Sequence, residues 1–277
     1  MTEMLNTIGL GLNGVPLPKG DFRAARARGG AAIHLARYGQ SWDDEPFKFV
    51  AVKKAFQILE NSGALAKIDQ MFFLALDEND SLLSWIIAGT APVNQGMAFG
   101  PLGFEGDASA AYINTGINPT TLAGAKYTRD SAHFGVYVSD NVGVQSAANI
   151  AFGTVGGPSL ALLYPMSTSA NTAYRINGGE TISFDDNPFH GQPGFMLVQR
   201  AGANTTRMLH DGNVIRAQSG DASTGIPNSN FCIGRNQAAY GGGKYAGGTI
   251  GAGMSVSNGQ EDAVCQAWRL LGRACLP

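Results

Sequence analysis

Charge is scarce in this sequence. Only 14% of its 277 residues are Asp, Glu, Lys or Arg, and the formal net charge is −2. A nucleic-acid binder draws affinity from a dense Lys/Arg footprint against phosphates, so this composition argues against one. Cysteine is scarcer still. Cys232, Cys265 and Cys275 are too few for a disulfide framework, and no C-x-x-C spacing offers a zinc site. They read as reduced thiols that pack as small apolar groups. The four histidines, His34, His133, His190 and His210, show no H-E-x-x-H or comparable metal spacing. Long apolar runs are missing too, and none approaches the roughly 18 residues of a membrane span. The N-terminus, M-T-E-M-L-N-T-I-G-L, has neither the basic region nor the apolar core of a signal peptide. The expectation is a soluble protein made in a cytoplasm.

Glycine, by contrast, is abundant, with 38 residues and no G-X-Y period, and 44% of the chain is hydrophobic. That combination fits many short strands joined by tight turns. The stretch from Gly194 to Arg235 shows it most clearly. Phe195–Arg200, Thr206–His210 and Val214–Ala217 are short runs rich in branched and apolar residues, the last two joined at Asp211-Gly212-Asn213. An Asp-Gly pair between such runs marks a hairpin, because glycine accepts the positive φ of the tight turn. Three strands in succession form a meander, and a meander must bury one face.

Residues 1–40 form an extended N-terminal arm, broken by Gly9, Gly11, Gly14, Pro16, Pro18 and Gly20. Its Arg23, Arg26, Arg28 and Arg37 suit a solvated face or an acidic protein neighbour. Residues 41–95 read as a helix and strand region packing on a sandwich. Asp43/Asp44 and Pro46 start a helix that Asn61-Ser62-Gly63 stops. Phe47, Val50, Ala51, Ile58 and Leu59 line one face, and Phe49, Val52 and Phe56 a second. Met71–Leu76 follows as an apolar strand, and Leu82–Ile87 as a helix or strand. Residues 96–277 carry the β texture: Phe99–Phe104, Ala110–Asn114, Ala132–Ser139, Leu160–Tyr164, and Ala173–Ile176 with Thr181–Phe184 around Asn177-Gly178-Gly179. A glycine-rich loop, Gly241-Gly242-Gly243 and Gly247-Gly248, then leads to a strand over Thr249–Val256. The chain closes on a helix over Glu261–Leu271. This spacing predicts a mainly β fold, a jelly-roll β-sandwich with two sheets of five or six strands.

The run G-F-M-L-V-Q-R … T-R-M-L-H-D-G-N-V-I … N-F-C-I-G-R-N … Y-A-G-G-T-I-G-A-G-M-S-V resembles the concanavalin A-like, laminin-G-like jelly-roll domain. F-E-G-D-A-S-A-A-Y-I-N-T-G-I-N-P-T with K-Y-T-R-D-S-A-H-F-G-V-Y-V resembles proteins of tailed-phage and prophage structural modules. The resemblance runs from Phe47 to Leu271 and leaves out the arm. It implies a virion structural protein of tail, baseplate, fibre or capsid decoration, assembled with other phage structural proteins as a homo-oligomer such as a trimer. The alternative is a carbohydrate-binding module for host surface glycan.

Hydrolases of the laminarinase type share the sandwich, but their E-x-D-x-x-E strand has no counterpart here, so no catalytic residue is assigned. Asp185, Asp186 and Asn187 form the nearest acidic cluster. They suit calcium, an ion that takes oxygen ligands, or else an ordinary turn before Pro188. Tyr240 and Tyr245 stand among glycines as candidate exposed aromatics for a sugar ring or a protein partner. Phe189 and His190 are a second candidate contact for glycan.

Overall fold

The computed structural model describes residues 46–75, 81–82, 84–86, 92–140, 149–156, 159–165, 171–189, 191–237 and 239–277. The predicted arm over residues 1–40 lies outside them, as do Asp43 and Asp44.

In chain order the elements begin with α1 (Pro46–Asn61), β1 (Ile68–Phe73), β2 (Val93–Gln95), β3 (Ala98–Gly100), β4 (Gly103–Glu105) and β5 (Tyr112–Asn114). Then come β6 (Ser131–Asp140), β7 (Phe152–Thr154), β8 (Ala161–Tyr164), β9 (Thr172–Ile176), β10 (Ile182–Phe184) and β11 (Gly194–Ala201). The last are β12 (Thr205–His210), β13 (Asn213–Ser219), β14 (Phe231–Ile233), β15 (Arg235–Asn236), β16 (Ala239–Tyr240), β17 (Lys244–Gly251) and α2 (Gln260–Cys275).

The architecture is a jelly-roll β-sandwich. One sheet runs β13-β12-β11-β6-β17-β4-β3, and β1 also pairs with β17. The other runs β10-β9-β8-β7-β14-β5-β2. They hold eight and seven strands rather than five or six, because several are three residues long and too short to show alternation. Region 46–95 contributes to both sheets, through β1 and β2.

The alternation of β11 explains its unbroken apolar run. Met196 and Val198 enter the core between the sheets, while Phe195 and Leu197 enter a second core beneath the helices. A strand buried on both faces has no reason to alternate. Trp268 of α2 stacks on Phe195, with ring centroids 5.0 Å apart and planes 9° from parallel, and also meets Phe73 at 6.0 Å. The order of layers is therefore sheet, sheet, helices.

The Asp211-Gly212 hairpin forms as its sequence predicts, with φ of 48° and 84° at the two turn residues. Three expectations change. The last strand is Lys244–Gly251 rather than Thr249–Val256. Its glycines lie inside the sheet because a Cβ on Gly247 would stand 2.6 Å from both the Phe72 carbonyl oxygen and the Trp268 ring. Val50 is 58% exposed, so α1 buries the stripe of Ala51, Val52, Ala55, Phe56 and Leu59 instead. Ile86 makes only a single antiparallel bridge to Met71.

Candidate functional site

Among the described residues, the outer face of the second sheet carries no helix. Ile113, Phe152, Leu163, Tyr174, Phe231 and Ile233 point into the core. Their neighbours in sequence therefore point out: Tyr112 and Asn114 of β5, Gly153 of β7, Leu162 and Tyr164 of β8, and Cys232 of β14. The register aligns Asn114, Cys232, Gly153 and Leu162 in one row across four strands.

The β15–β16 hairpin folds back over this row. Gly153 is what admits it: a Cβ there would lie 2.9 Å from Cβ of Asn236 and 3.2 Å from the Arg235 carbonyl oxygen. Asn236 Nδ2 donates to the Tyr164 hydroxyl at 2.7 Å and ties the hairpin down. Arg235 is thereby placed with its guanidinium carbon 4.5 Å from the Tyr112 ring centroid and 5.2 Å from that of Tyr240. The two rings stand 6.3 Å apart, tilted by 53°. All three side chains are half-buried. Arg235 makes no ion pair among the described residues, and its Nε is buried without a hydrogen-bond partner. Each cation–π contact contributes roughly 0.5–1 kcal/mol at such a partly exposed position.

The loop after Tyr240 is tied down by backbone hydrogen bonds. Gly106 N–H donates to the Gly243 carbonyl at 3.1 Å, and Ala108 N–H to the Gly241 carbonyl at 3.3 Å. Asp107 accepts from the N–H groups of Ser109, Ala110 and Ala111 at 2.8–2.9 Å. Those backbone donors hold its carboxyl well below the usual range. A Cβ on Gly241 would stand 2.1 Å from the Ile150 carbonyl oxygen. The glycines here permit backbone approach.

Tyr245 is not exposed. It is 1% accessible, its hydroxyl donates to the Ile150 carbonyl at 3.0 Å, and it forms the floor under that loop. Within β17 its side chain faces the core, so no sugar ring can stack on it. Tyr240 does stand at the surface, but beside Arg235 and Tyr112, which sequence reasoning missed. The A-Y-I-N run of β5 carries a signal for Tyr112, since alternation puts it opposite buried Ile113.

Asp185 and Asp186 are exposed, whereas Asn187 is buried. Its Nδ2 donates to Thr172 Oγ1 at 2.8 Å and its Oδ1 accepts from Phe189 N–H at 2.9 Å. Asn187 thus closes the turn itself, and its side-chain oxygen is already engaged. Phe189 packs on His210, ring centroids 5.0 Å apart. His190 lies outside the described residues.

The buried carboxylates are committed elsewhere. Asp69 accepts from the N–H groups of Lys126 and Tyr127 at 2.9 Å each, and Glu261 pairs with Arg207 at 3.2 Å and with Gln199. Burial raises both carboxyl groups above their ordinary values. Burial also pushes the thiols of Cys232 and Cys265 up to about 12. An open groove of about 500 Å³, lined by Lys67, Asp130, Ser131, Ser255, Ser257 and Gln260, carries no aromatic side chain. The Tyr112–Arg235–Tyr240 cluster is the arrangement best suited to hold a ligand: rings for an apolar face, and a planar fork of N–H donors beside neutral hydrogen-bonding groups.

No family model and no curated protein matches the chain. Solved structures match its fold. The binding domain of botulinum neurotoxin serotype D is similar at 13% identity with a TM-score of 0.50, over 73% of this chain and 52% of that one. The receptor binding domain of the botulinum neurotoxin C/D mosaic serotype is similar at 10% identity and TM-score 0.52, over 72% and 51%. Trypanosoma rangeli sialidase in complex with 2,3-difluorosialic acid is similar at 9% identity and TM-score 0.55, over 80% and 39%. This chain thus spans about half the length of the neurotoxin chains. At these identities the likeness is one of fold.

Proposed function

We propose that this chain is a glycan-recognition β-sandwich, acting by binding and without covalent chemistry. One observation carries this: the half-buried Tyr112–Arg235–Tyr240 cluster on the outer face of the second sheet, held in place by Gly153 and by the Asn236–Tyr164 hydrogen bond. Tyrosine rings supply the flat apolar surface that a sugar's C–H face covers, and rigid polar neighbours fix its orientation. Sharing a fold with the receptor binding domains of botulinum neurotoxins, and with a sialidase, supports recognition as the role.

The test is a glycan array read with the full chain and with Tyr112→Ala/Tyr240→Ala. Loss of the array signals in a variant whose melting is unchanged is the expected result. No bound glycan, or binding that survives the double substitution, overturns the proposal.

A second reading, a virion protein assembled with other phage structural proteins, draws on the sequence resemblance from Phe47 to Leu271. In that setting the same face would serve host attachment, and residues 1–40 would join the protein to its neighbours. Light scattering on the full chain and on a chain beginning at Ser41 tests the arm's part. An oligomer reduced to a folded monomer by the truncation supports assembly through the arm.

A further inference from the structure

We infer that the Tyr112–Arg235–Tyr240 site selects acidic glycans, with the Arg235 guanidinium receiving a carboxylate or sulfate group of the sugar. The inference rests on the glycan-recognition reading and adds the ligand's charge. The guanidinium carbon of Arg235 lies 4.5 and 5.2 Å from two ring centroids that are themselves 6.3 Å apart, so both rings lie to one side of it and further interactions fall to the N–H edge on the other. That edge is the fork that matches the paired oxygens of a carboxylate or sulfate.

The nearby acids are already engaged. Asp140 and Glu105 lie 3.3 and 3.9 Å from Lys244 Nζ. Asp107 is satisfied by its own loop. The remaining outward groups, Tyr112, Asn114, Tyr164 and Asn236, are uncharged hydrogen-bonding side chains. Among the described residues, Arg235 therefore sits among uncharged outward groups, and the other charged side chain in this row, Arg175 of β9 beside Leu162, is also a cation, so the face is locally positive on a chain whose net charge is −2. An acceptor anion would meet the two Nη groups, which, unlike Nε, are not buried and have no protein acceptor among the described residues. A carboxylate or sulfate there exchanges water for charge-assisted hydrogen bonds.

The experiment uses the full chain on an array that carries uronate, sialylated, sulfated and neutral glycans side by side. Array hits are then tested after chemical reduction of their carboxyl groups or removal of their sulfates, and against Arg235→Gln and Arg235→Lys. Acidic hits are expected. Neutralising the sugar or making Arg235→Gln should weaken binding by about tenfold to a hundredfold, the scale of a hydrogen bond to a charged group. Arg235→Lys, which keeps the charge but loses the fork, should lie between. Which treatment abolishes binding separates carboxylate from sulfate. Hits that are mainly neutral yet lost in Tyr112→Ala/Tyr240→Ala would overturn this inference and leave glycan recognition standing. The same holds for acidic hits that Arg235→Gln still binds with unchanged affinity. An array with no hits would overturn both. Melting curves of the Arg235 variants identify any that fail to fold, and sugar neutralisation tests the inference on the unaltered protein.

Discussion

Acid should weaken this protein through His133. The ring is fully buried in β6; its Nδ1–H donates to the Ala252 carbonyl at 2.5 Å, and the Thr249 hydroxyl, 3.2 Å away, donates to Nε2. Both bonds suit the neutral tautomer. Burial lowers the pKa from 6.5 to about 4, the Ala252 bond opposing the drop and Lys126 adding to it. Between these values the unfolded chain binds more protons than the folded one, so stability falls as pH falls. The contribution is full above the unfolded pKa and is lost as pH approaches 4. At about 1.4 kcal/mol per pKa unit the total is on the order of 3 kcal/mol, with about 1 kcal/mol gone near pH 5.5. Asp69 and Glu261, with carboxyls raised by burial, act in the opposite sense. A bare pH profile therefore mixes the terms, and a difference isolates His133. Urea unfolding of the natural chain and of His133→Asn, which keeps an N–H donor without the titration, should show a stability gap that narrows by about 2–3 kcal/mol between pH ~7.5 and ~4.5. A gap that stays constant over that range would refute the linkage.

Arg200 is fully buried and pairs with Asp221 at 2.5 Å, its Nε donating to the Ile176 carbonyl at 2.9 Å. Arg200→Met should cost about 3–5 kcal/mol by stranding these partners, lowering Tm by roughly 10 °C in calorimetry. Gly153→Ala should lift the β15–β16 hairpin, and glycan titration should show a larger loss of affinity than the ~1–3 kcal/mol of overpacking seen in melts. Tyr245→Phe removes the hydroxyl's bond to the Ile150 carbonyl and its bond with the Gly243 backbone; about 1–2 kcal/mol of stability should go, with glycan affinity unchanged. Chelation by EDTA should leave Tm where it is, because both polar atoms of the Asn187 side chain are engaged by Thr172 and Phe189; a drop would reveal a calcium site.

Several features were legible from the chain alone because their causes are local. Asp211-Gly212 dictates a turn of two positive-φ residues, so the hairpin of β12 and β13 could be read directly. Pro46 and Asn61-Ser62-Gly63 bound α1 for equally local reasons. The β class follows from apolar runs and turn residues at short spacing.

Whatever depends on which surfaces meet was not legible. Gly247 and Gly248 look like loop until Phe72 and Trp268 press against them, and Val50 looks like core until α1 settles on a stripe drawn from both predicted faces. Tyr240 and Tyr245 share the same glycine-rich neighbourhood in sequence. The hairpin puts one at the surface, and β17 turns the other into the core. Tyr112 and Arg235 lie far apart along the chain and meet because β14 pairs with β5 and Gly153 leaves room above β7. The sequence by itself determined the turns, the strand-rich class and the bounds of α1, which short-range sterics and hydrogen bonding control. The tertiary structure alone decided which side chains reach solvent together, because strand order and layer packing are settled by burial of the whole core.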